Sequence, residues 1–291
     1  MDLLNFWMDG EPRLGARHGA HGTEVLDISA ALAAPEFRHL TALLRAGEAA
    51  WRQVQSLAAA PPPGVPRRPL ASLRHAPLLA RDCRIFAVGL NYADHAAENN
   101  LPPPASPIFF SKLAATITPQ GGAVPLPAGS EQVDYEAELA FVIGRRLAGA
   151  SEAAAAAAIA GYTIVNDVTA RDFQARDGQW FRGKNCDGFT PMGPWLTSAD
   201  ALPNPPELAI SLRHNGVTRQ RSNTRNLFFK PAALAAFLSQ SLALEPGDAI
   251  TTGTPAGTGF FQKPPVFLRA GDVVEVEIEG IGTLRHSMSA R

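Results

Sequence analysis

Residues 133–143 read Val-Asp-Tyr-Glu-Ala-Glu-Leu-Ala-Phe-Val-Ile, and that order restricts the fold more than any other stretch of the chain. As a strand it places Glu136 and Glu138 on one face, about 7 Å apart along the backbone. From Leu139 to Ile143 both faces are apolar, so the sheet is covered on both sides there. Two carboxylates are thus carried to the margin of a buried region, where uncompensated burial is expensive. Two readings stay open. The pair is either solvated at an exposed end, or joined by a hard divalent cation such as Mg²⁺, Mn²⁺ or Ca²⁺. The chain contains the solvated case for comparison, because Glu275, Glu277 and Glu279 alternate with a clean apolar face of Val274, Val276 and Ile278.

The rest of the chain reads as α+β and rich in strand. Its 291 residues suffice for a large core in one domain or two unequal ones. Ala60-Pro61-Pro62-Pro63-Gly64-Val65-Pro66 cannot continue a helix or sit inside a sheet, which sets off a small N-terminal domain at residues 1–68 from a body at 69–291. Before that break, Leu40, Leu43, Leu44, Trp51, Val54 and Leu57 recur at helical spacing. Leu208, Ile210 and Leu212 alternate toward Asn215-Gly216, a type I′ hairpin signal. Ser151 caps a helix through an alanine tract that stops at Gly161, and a second helix starts at Pro231 and ends before Pro246-Gly247.

Charge and cysteine usage exclude several partners. Lysine and arginine number 26 against 27 aspartates and glutamates, so nothing electrostatic calls for nucleic acid or an anionic membrane. No apolar run approaches the ~18 residues of a membrane span, and no basic leader precedes an apolar stretch at the N-terminus. Cys83 and Cys186 do not make a disulfide framework, so reduced thiols and a cytoplasmic location are expected.

Further polar residues stand where chemistry tends to sit. Asp167 ends the apolar stretch from Tyr162 and is either a third carboxylate for a cation or a cap for the residues after it. His95 and Glu98 are i, i+3 neighbours if residues 92–99 are helical. That is the arrangement of a water-activating dyad, and equally of an ordinary surface pair. Lys184, beside Gly183, is a partner for a substrate carboxylate or an enolate oxygen, or a surface lysine. Gly253-Thr254-Pro255-Ala256-Gly257-Thr258-Gly259 lacks the dinucleotide fingerprint and reads as a tight loop offering a hydroxyl and backbone N–H groups to an anion.

Taken in order, these blocks resemble the fumarylacetoacetate hydrolase family. Gly89-Leu90-Asn91-Tyr92 with His95 and Glu98, Pro107–Lys112, Asp134–Leu139, Asn166–Asp172, Lys184 and Thr254-Pro255 carry the likeness, over roughly residues 80 to 288. The resemblance implies a twisted mixed β-sandwich roll, dimeric, with a small N-terminal α/β domain. It implies Mg²⁺ (or Mn²⁺) on Glu136, Glu138 and Asp167, and His95 with Glu98 as the dyad on a lid. It also implies that Lys184, Arg171, Gln174 and Thr254 touch the substrate, with Lys112 near the metal end. The activity it implies is cleavage of a C–C bond in an acylpyruvate-type 2,4-dioxo acid, in catabolism of aromatic or other carbon sources. The alternative is a 2-oxo acid lyase or isomerase on the same site.

Overall fold

The computed structural model describes residues 1–19, 21–98, 100–203 and 207–291. The chain opens with strands β1 (Asp2–Met8), β2 (Glu11–His18) and β3 (Glu24–Asp27), helices α1 (Ile28–Leu32), α2 (Leu40–Ala46) and α3 (Glu48–Ala59), and strand β4 (Arg67–Pro69). The body continues with β5 (Arg84–Gly89), α4 (Ala93–Glu98), β6 (Ile108–Leu113), β7 (Ile117–Pro119), β8 (Ala123–Pro125), β9 (Val133–Asp134) and β10 (Ala137–Ile143). Then come α5 (Glu152–Ala158), β11 (Ile159–Asn166), β12 (Thr169–Ala170), α6 (Arg171–Asp177), α7 (Trp180–Lys184) and β13 (Thr190–Ser198). The chain closes with β14 (Ala209–His214), β15 (Val217–Asn223), α8 (Pro231–Ser239), β16 (Ala249–Thr251), β17 (Val273–Ile278) and β18 (Gly282–Ser289).

Among the described residues, one mixed sheet runs β4-β3-β2-β1-β13-β11-β10-β16-β5-β6 with β7 added to β13, and a second runs β15-β14-β17-β18-β8. Strand β10 is central to the first sheet and buried throughout. Leu139, Phe141 and Ile143 point into a core shared with Ile210, Leu212, Val274 and Val276 of the second sheet. Ala140 and Val142 point the other way, into a core shared with Leu3, Leu14, Leu43 and Val54 of the N-terminal segment. The apolar run on both faces therefore has two cores to fill, and the strand-rich α+β sandwich follows. Glu275 and Glu277 remain at the surface, where both meet Arg213 from the neighbouring strand.

Several local expectations are corrected. The helix across Leu40–Leu57 is two helices, because Gly47 adopts φ 85° between α2 and α3. The alanine-tract helix is capped by the Ser151 hydroxyl but ends at Ala158. Ile159 already belongs to β11, and Gly161 is a strand residue where any Cβ would lie 2.3 Å from the Thr197 carbonyl oxygen of β13. The helix from Pro231 stands as read, ending at Ser239 ahead of Pro246. The hairpin stands as read, with Asn215 at φ 51° and Gly216 at φ 78°. The proline-rich break is a connection within one sheet, since β1 pairs antiparallel with β13 across it. Among the described residues no helix is long and apolar enough to cross a membrane.

A side-chain hydrogen bond ties the second sheet to the end of β11. Asn166 Nδ2 donates to Nε2 of His286 on β18 at 2.8 Å, while Asn166 Oδ1 accepts the Glu136 N–H at 2.8 Å. Burial pushes His286 down to about 4, against ~6.5 in an unfolded chain. Between those values the unfolded chain binds a proton that the folded chain refuses. Stability from this site is thus complete above pH ~6.5 and falls, by about 3 kcal/mol in all, as pH drops toward 4. Denaturant titrations of wild type and His286→Gln across pH 7 to 4 are expected to converge on the acid side, with the variant curve flatter.

Candidate active site

The pairing of β10 with β11 brings the acidic residues together. Ala137 faces Asn166 in the ladder, and the Asp167 N–H donates to the Glu136 carbonyl at 2.9 Å. Carboxylate oxygens of Glu136, Glu138 and Asp167 consequently lie within 4.8 Å of one another, all three residues buried. Asp167 does not cap the following helix; its oxygens go to Lys112 Nζ and Lys184 Nζ, at 2.6 and 2.7 Å. Glu136 accepts from Arg171 Nη2 at 2.6 Å and Lys184 Nζ at 2.7 Å. Glu138 accepts from the Gly253 N–H at 2.9 Å.

The cluster holds an imbalance of charge. With Asp134, whose carboxylate takes Arg171 at 2.8 Å, four buried carboxylates face the three cations Lys112, Arg171 and Lys184. Burial works against Glu136, but Lys184 and Arg171 outweigh it and hold that carboxyl at about 2. Glu138 is the carboxyl left over: burial, then Asp167 and Glu136, push it well above the usual range. Burial draws Lys184 down, yet Asp167 and Glu136 leave it raised, so it stays an ammonium. For Lys112 burial wins over Asp167, and its affinity for the proton is lowered. Three convergent carboxylate oxygens with one surplus negative charge are the donor set of a hard divalent cation, and the residues present fit such an ion.

A cavity of about 110 Å³ opens beside this cluster. Its lining brings together His95, Glu136, Glu138, Arg171, Gln174, Lys184 and Thr254, with Leu90, Phe110 and Trp180 among the apolar neighbours. The sequence-predicted residues thus converge, with differences in detail. Lys112 does not line the cavity; its side chain is fully enclosed and its ammonium is used on Asp167 and the Lys184 carbonyl. His95 and Glu98 lie in α4, Nδ1 to Oε2 3.2 Å apart. Residue 99, the end of the expected 92–99 helix, lies outside the described residues. Because a carboxylate only accepts, Nδ1 is the donor in this contact, the tautomer in which a neutral ring has its acceptor at Nε2.

The Gly253–Gly259 loop does offer backbone N–H groups to anions, and the anions are the protein's own. Gly253 N–H serves Glu138, Gly257 N–H serves Glu98 at 3.1 Å, and Gly259 and Phe260 N–H serve Asp134 at 2.7 and 3.1 Å. Asp134 was missed as a site residue although it stands in the Val133–Ile143 stretch; a third acidic side chain beside an apolar run was the available signal. It positions Arg171, and through it Glu136.

Fold and site together define a strand-rich α+β sandwich with a buried acidic triad, able to hold a metal ion, beside a small polar cavity. The chain belongs to the fumarylacetoacetate hydrolase family: residues 84–289 match the model described as fumarylacetoacetate (FAA) hydrolase C-terminal. It is 41% identical over 275 residues to a mitochondrial oxaloacetate tautomerase of Rattus norvegicus, covering 94% of this chain and 86% of that one. A fumarylacetoacetate hydrolase from Exiguobacterium antarcticum superposes with a TM-score of 0.87 at 32% identity, covering 100% of both chains. A maleylpyruvate hydrolase from Sphingobium sp. SYK-6 gives 0.82 at 30% identity, again over 100% of both.

Glu138→Gln tests the acidic cluster. The amide keeps an oxygen for the Gly253 N–H and removes only the surplus charge, so stability without added cation stays within about 1 kcal/mol of wild type. Mg²⁺ at 100 times its dissociation constant is expected to stabilise the wild type by about 2.7 kcal/mol and the variant not at all. Thermal melts with and without Mg²⁺ read both effects, and an unchanged Mg²⁺ response in Glu138→Gln would contradict the assignment.

Proposed function

We propose that this family enzyme interconverts the keto and enol forms of a small 2-oxo diacid such as oxaloacetate, with a divalent cation, Mg²⁺ or Mn²⁺, on Glu136, Glu138 and Asp167. The observation that carries the reading is a buried ammonium, Lys184, paired with two of the three clustered carboxylates, Glu136 and Asp167, at the wall of a small cavity. Drug-sized ligands occupy pockets of about 300 Å³ and more. The cavity here is smaller, about 110 Å³, which favours a four-carbon acid over a long acylpyruvate. The likeness to an oxaloacetate tautomerase along nearly the whole chain supports the same choice.

When bound, the cation would serve as a Lewis acid toward the oxygens of a 2-oxo acid. The chain's own groups account for the proton. His95 Nε2, the acceptor nitrogen when Nδ1 donates to Glu98, takes a proton from C3 of the keto acid. The C3–H electron pair moves into a C2–C3 double bond and the 2-oxo oxygen becomes an enolate. Lys184, kept as an ammonium by Glu136 and Asp167, faces that oxygen and stabilises its charge. Protonation of the oxygen completes the enol, and the reverse sequence returns the keto form. Arg171, Gln174 and Thr254 hold the carboxylates.

A second reading is hydrolysis of a 2,4-dioxo acid, and the His95–Glu98 pair is what favours it, since the same base can take a proton from water. The leaving fragment would again be an enolate at Lys184. Free thiols at Cys83 and Cys186 suit a reducing compartment such as the cytoplasm. Homodimeric assembly goes with the same family reading.

The two are separated by following enol-oxaloacetate by ultraviolet absorbance beside a panel of 2,4-dioxo acids. Tautomerisation is expected with Mg²⁺, lost after EDTA, and lowered at least about 100-fold in Lys184→Met. Turnover indifferent to both EDTA and Lys184→Met would overturn the reading, and faster cleavage of a dioxo acid would favour hydrolysis.

A further inference from the structure

Gln220, on β15 of the second sheet, is buried and reaches the site from outside the family's named blocks. Its Oε1 accepts the N–H of Ala137, the residue between Glu136 and Glu138, at 2.9 Å. Its Nε2 donates to the Pro255 carbonyl and to Thr254 Oγ1, both at 2.8 Å. The backbone N–H at one end can only donate and the carbonyl at the other can only accept, so the amide has one orientation. Thr254 Oγ1 is therefore committed as an acceptor toward Gln220. Its own proton finds no acceptor among the described residues, and the side chain lines the cavity.

We infer that Gln220 is a positioning residue that fixes the Thr254 hydroxyl as a hydrogen-bond donor to a carboxylate or enolate oxygen of the substrate. The inference rests on the proposed 2-oxo acid reaction and extends it. One amide does two things: it sets the polarity of Thr254, and it holds the loop carrying that hydroxyl in register with the strand carrying Glu136 and Glu138. With the amide removed, the threonine hydroxyl is free to turn its proton to the Pro255 carbonyl or elsewhere, and the substrate meets an undirected group. A donor directed in advance at developing negative charge costs no reorganisation during the reaction, which is the source of its value.

The test is a double-mutant cycle with Gln220→Met and Thr254→Val, read by kcat/KM for enol-oxaloacetate and by the inhibition constant of oxalate, a stable planar mimic of the enolate, both with Mg²⁺. Gln220→Met alone is expected to lower kcat/KM and weaken oxalate by at least about tenfold. In the Thr254→Val background the same change is expected to cost about threefold or less, because the polarity of Thr254 no longer matters and only the tie between loop and strand is lost. Thr254→Ser, which retains the hydroxyl, should keep most of the wild-type values. Gln220→Met also leaves the buried Ala137 N–H unpaired, so its melting temperature falls in both backgrounds, and that loss is additive. Should Gln220→Met fail to fold, Gln220→Glu keeps an acceptor for Ala137 and presents an acceptor to Thr254; it also sets an oxygen against the Pro255 carbonyl, a loss common to both backgrounds, so it should impair wild type more than it impairs Thr254→Val. Equal losses in both backgrounds would overturn the inference while leaving the function reading in place. A wild type that neither turns over oxaloacetate nor binds oxalate would overturn that reading and this inference with it.

Discussion

The structure is organised around a buried charge cluster that the fold must neutralise. Asp134, Glu136, Glu138 and Asp167 are all buried, and removing one partner of such a pair typically costs about 3–5 kcal/mol. Each carboxylate is answered from a different part of the chain. Lys112 comes from β6, Arg171 from the start of α6, Lys184 from the end of α7, and backbone N–H groups from the Gly253–Gly259 loop. These elements are far apart in sequence, so the cluster forms only when the whole body is folded. Strands β9, β10 and β11 with their flanks bring the negative charges together, and β6, the two helices and the loop bring what compensates them. What remains is one carboxyl too many, Glu138, and that surplus is what makes the place receptive to a cation.

Much of this was legible in the sequence. Strand β10 could be recognised as doubly covered because its apolar residues fill both faces, and two separate cores do receive them. Glu136, Glu138 and Asp167 could be grouped through the family likeness, and the solvated alternation at Glu275 and Glu277 could be told apart by its single apolar face. Other features depended on contacts that no local pattern encodes. Gly47 divides what reads as one helix, since periodicity is insensitive to a single residue with φ 85°. Gly161 looked like a helix stop because the closeness of β13, which requires a glycine there, is a tertiary fact. Lys112 could be placed near the acidic residues but not behind Asp167 and away from the cavity. Gln220 gave no signal, for in the polar sequence of β15 it is one polar residue among several.

The arrangement also explains how one scaffold serves several reactions. On the proposed reading, the acidic triad, Lys184 and the His95–Glu98 pair would deal with the end of a 2-oxo acid where an enolate develops, and that end is common to tautomerisation and C–C cleavage. The relatives carry both kinds of name, a tautomerase and two hydrolases. What differs between such reactions is the room beyond that end and the bond placed opposite the base. In this chain Leu90, Phe110 and Trp180 stand at the cavity wall, with the Phe110 and Trp180 rings edge to face at 5.3 Å, and the space they leave is small.

The central claim, that three carboxylates from β10 and its flanks are gathered to hold one divalent cation, is tested most directly by diffraction from crystals grown with Mn²⁺. The account predicts a single strong anomalous peak within bonding distance of one oxygen each from Glu136, Glu138 and Asp167. An ion bound elsewhere, or the three carboxylates left to Lys112, Lys184 and Arg171 alone at saturating Mn²⁺, would contradict it.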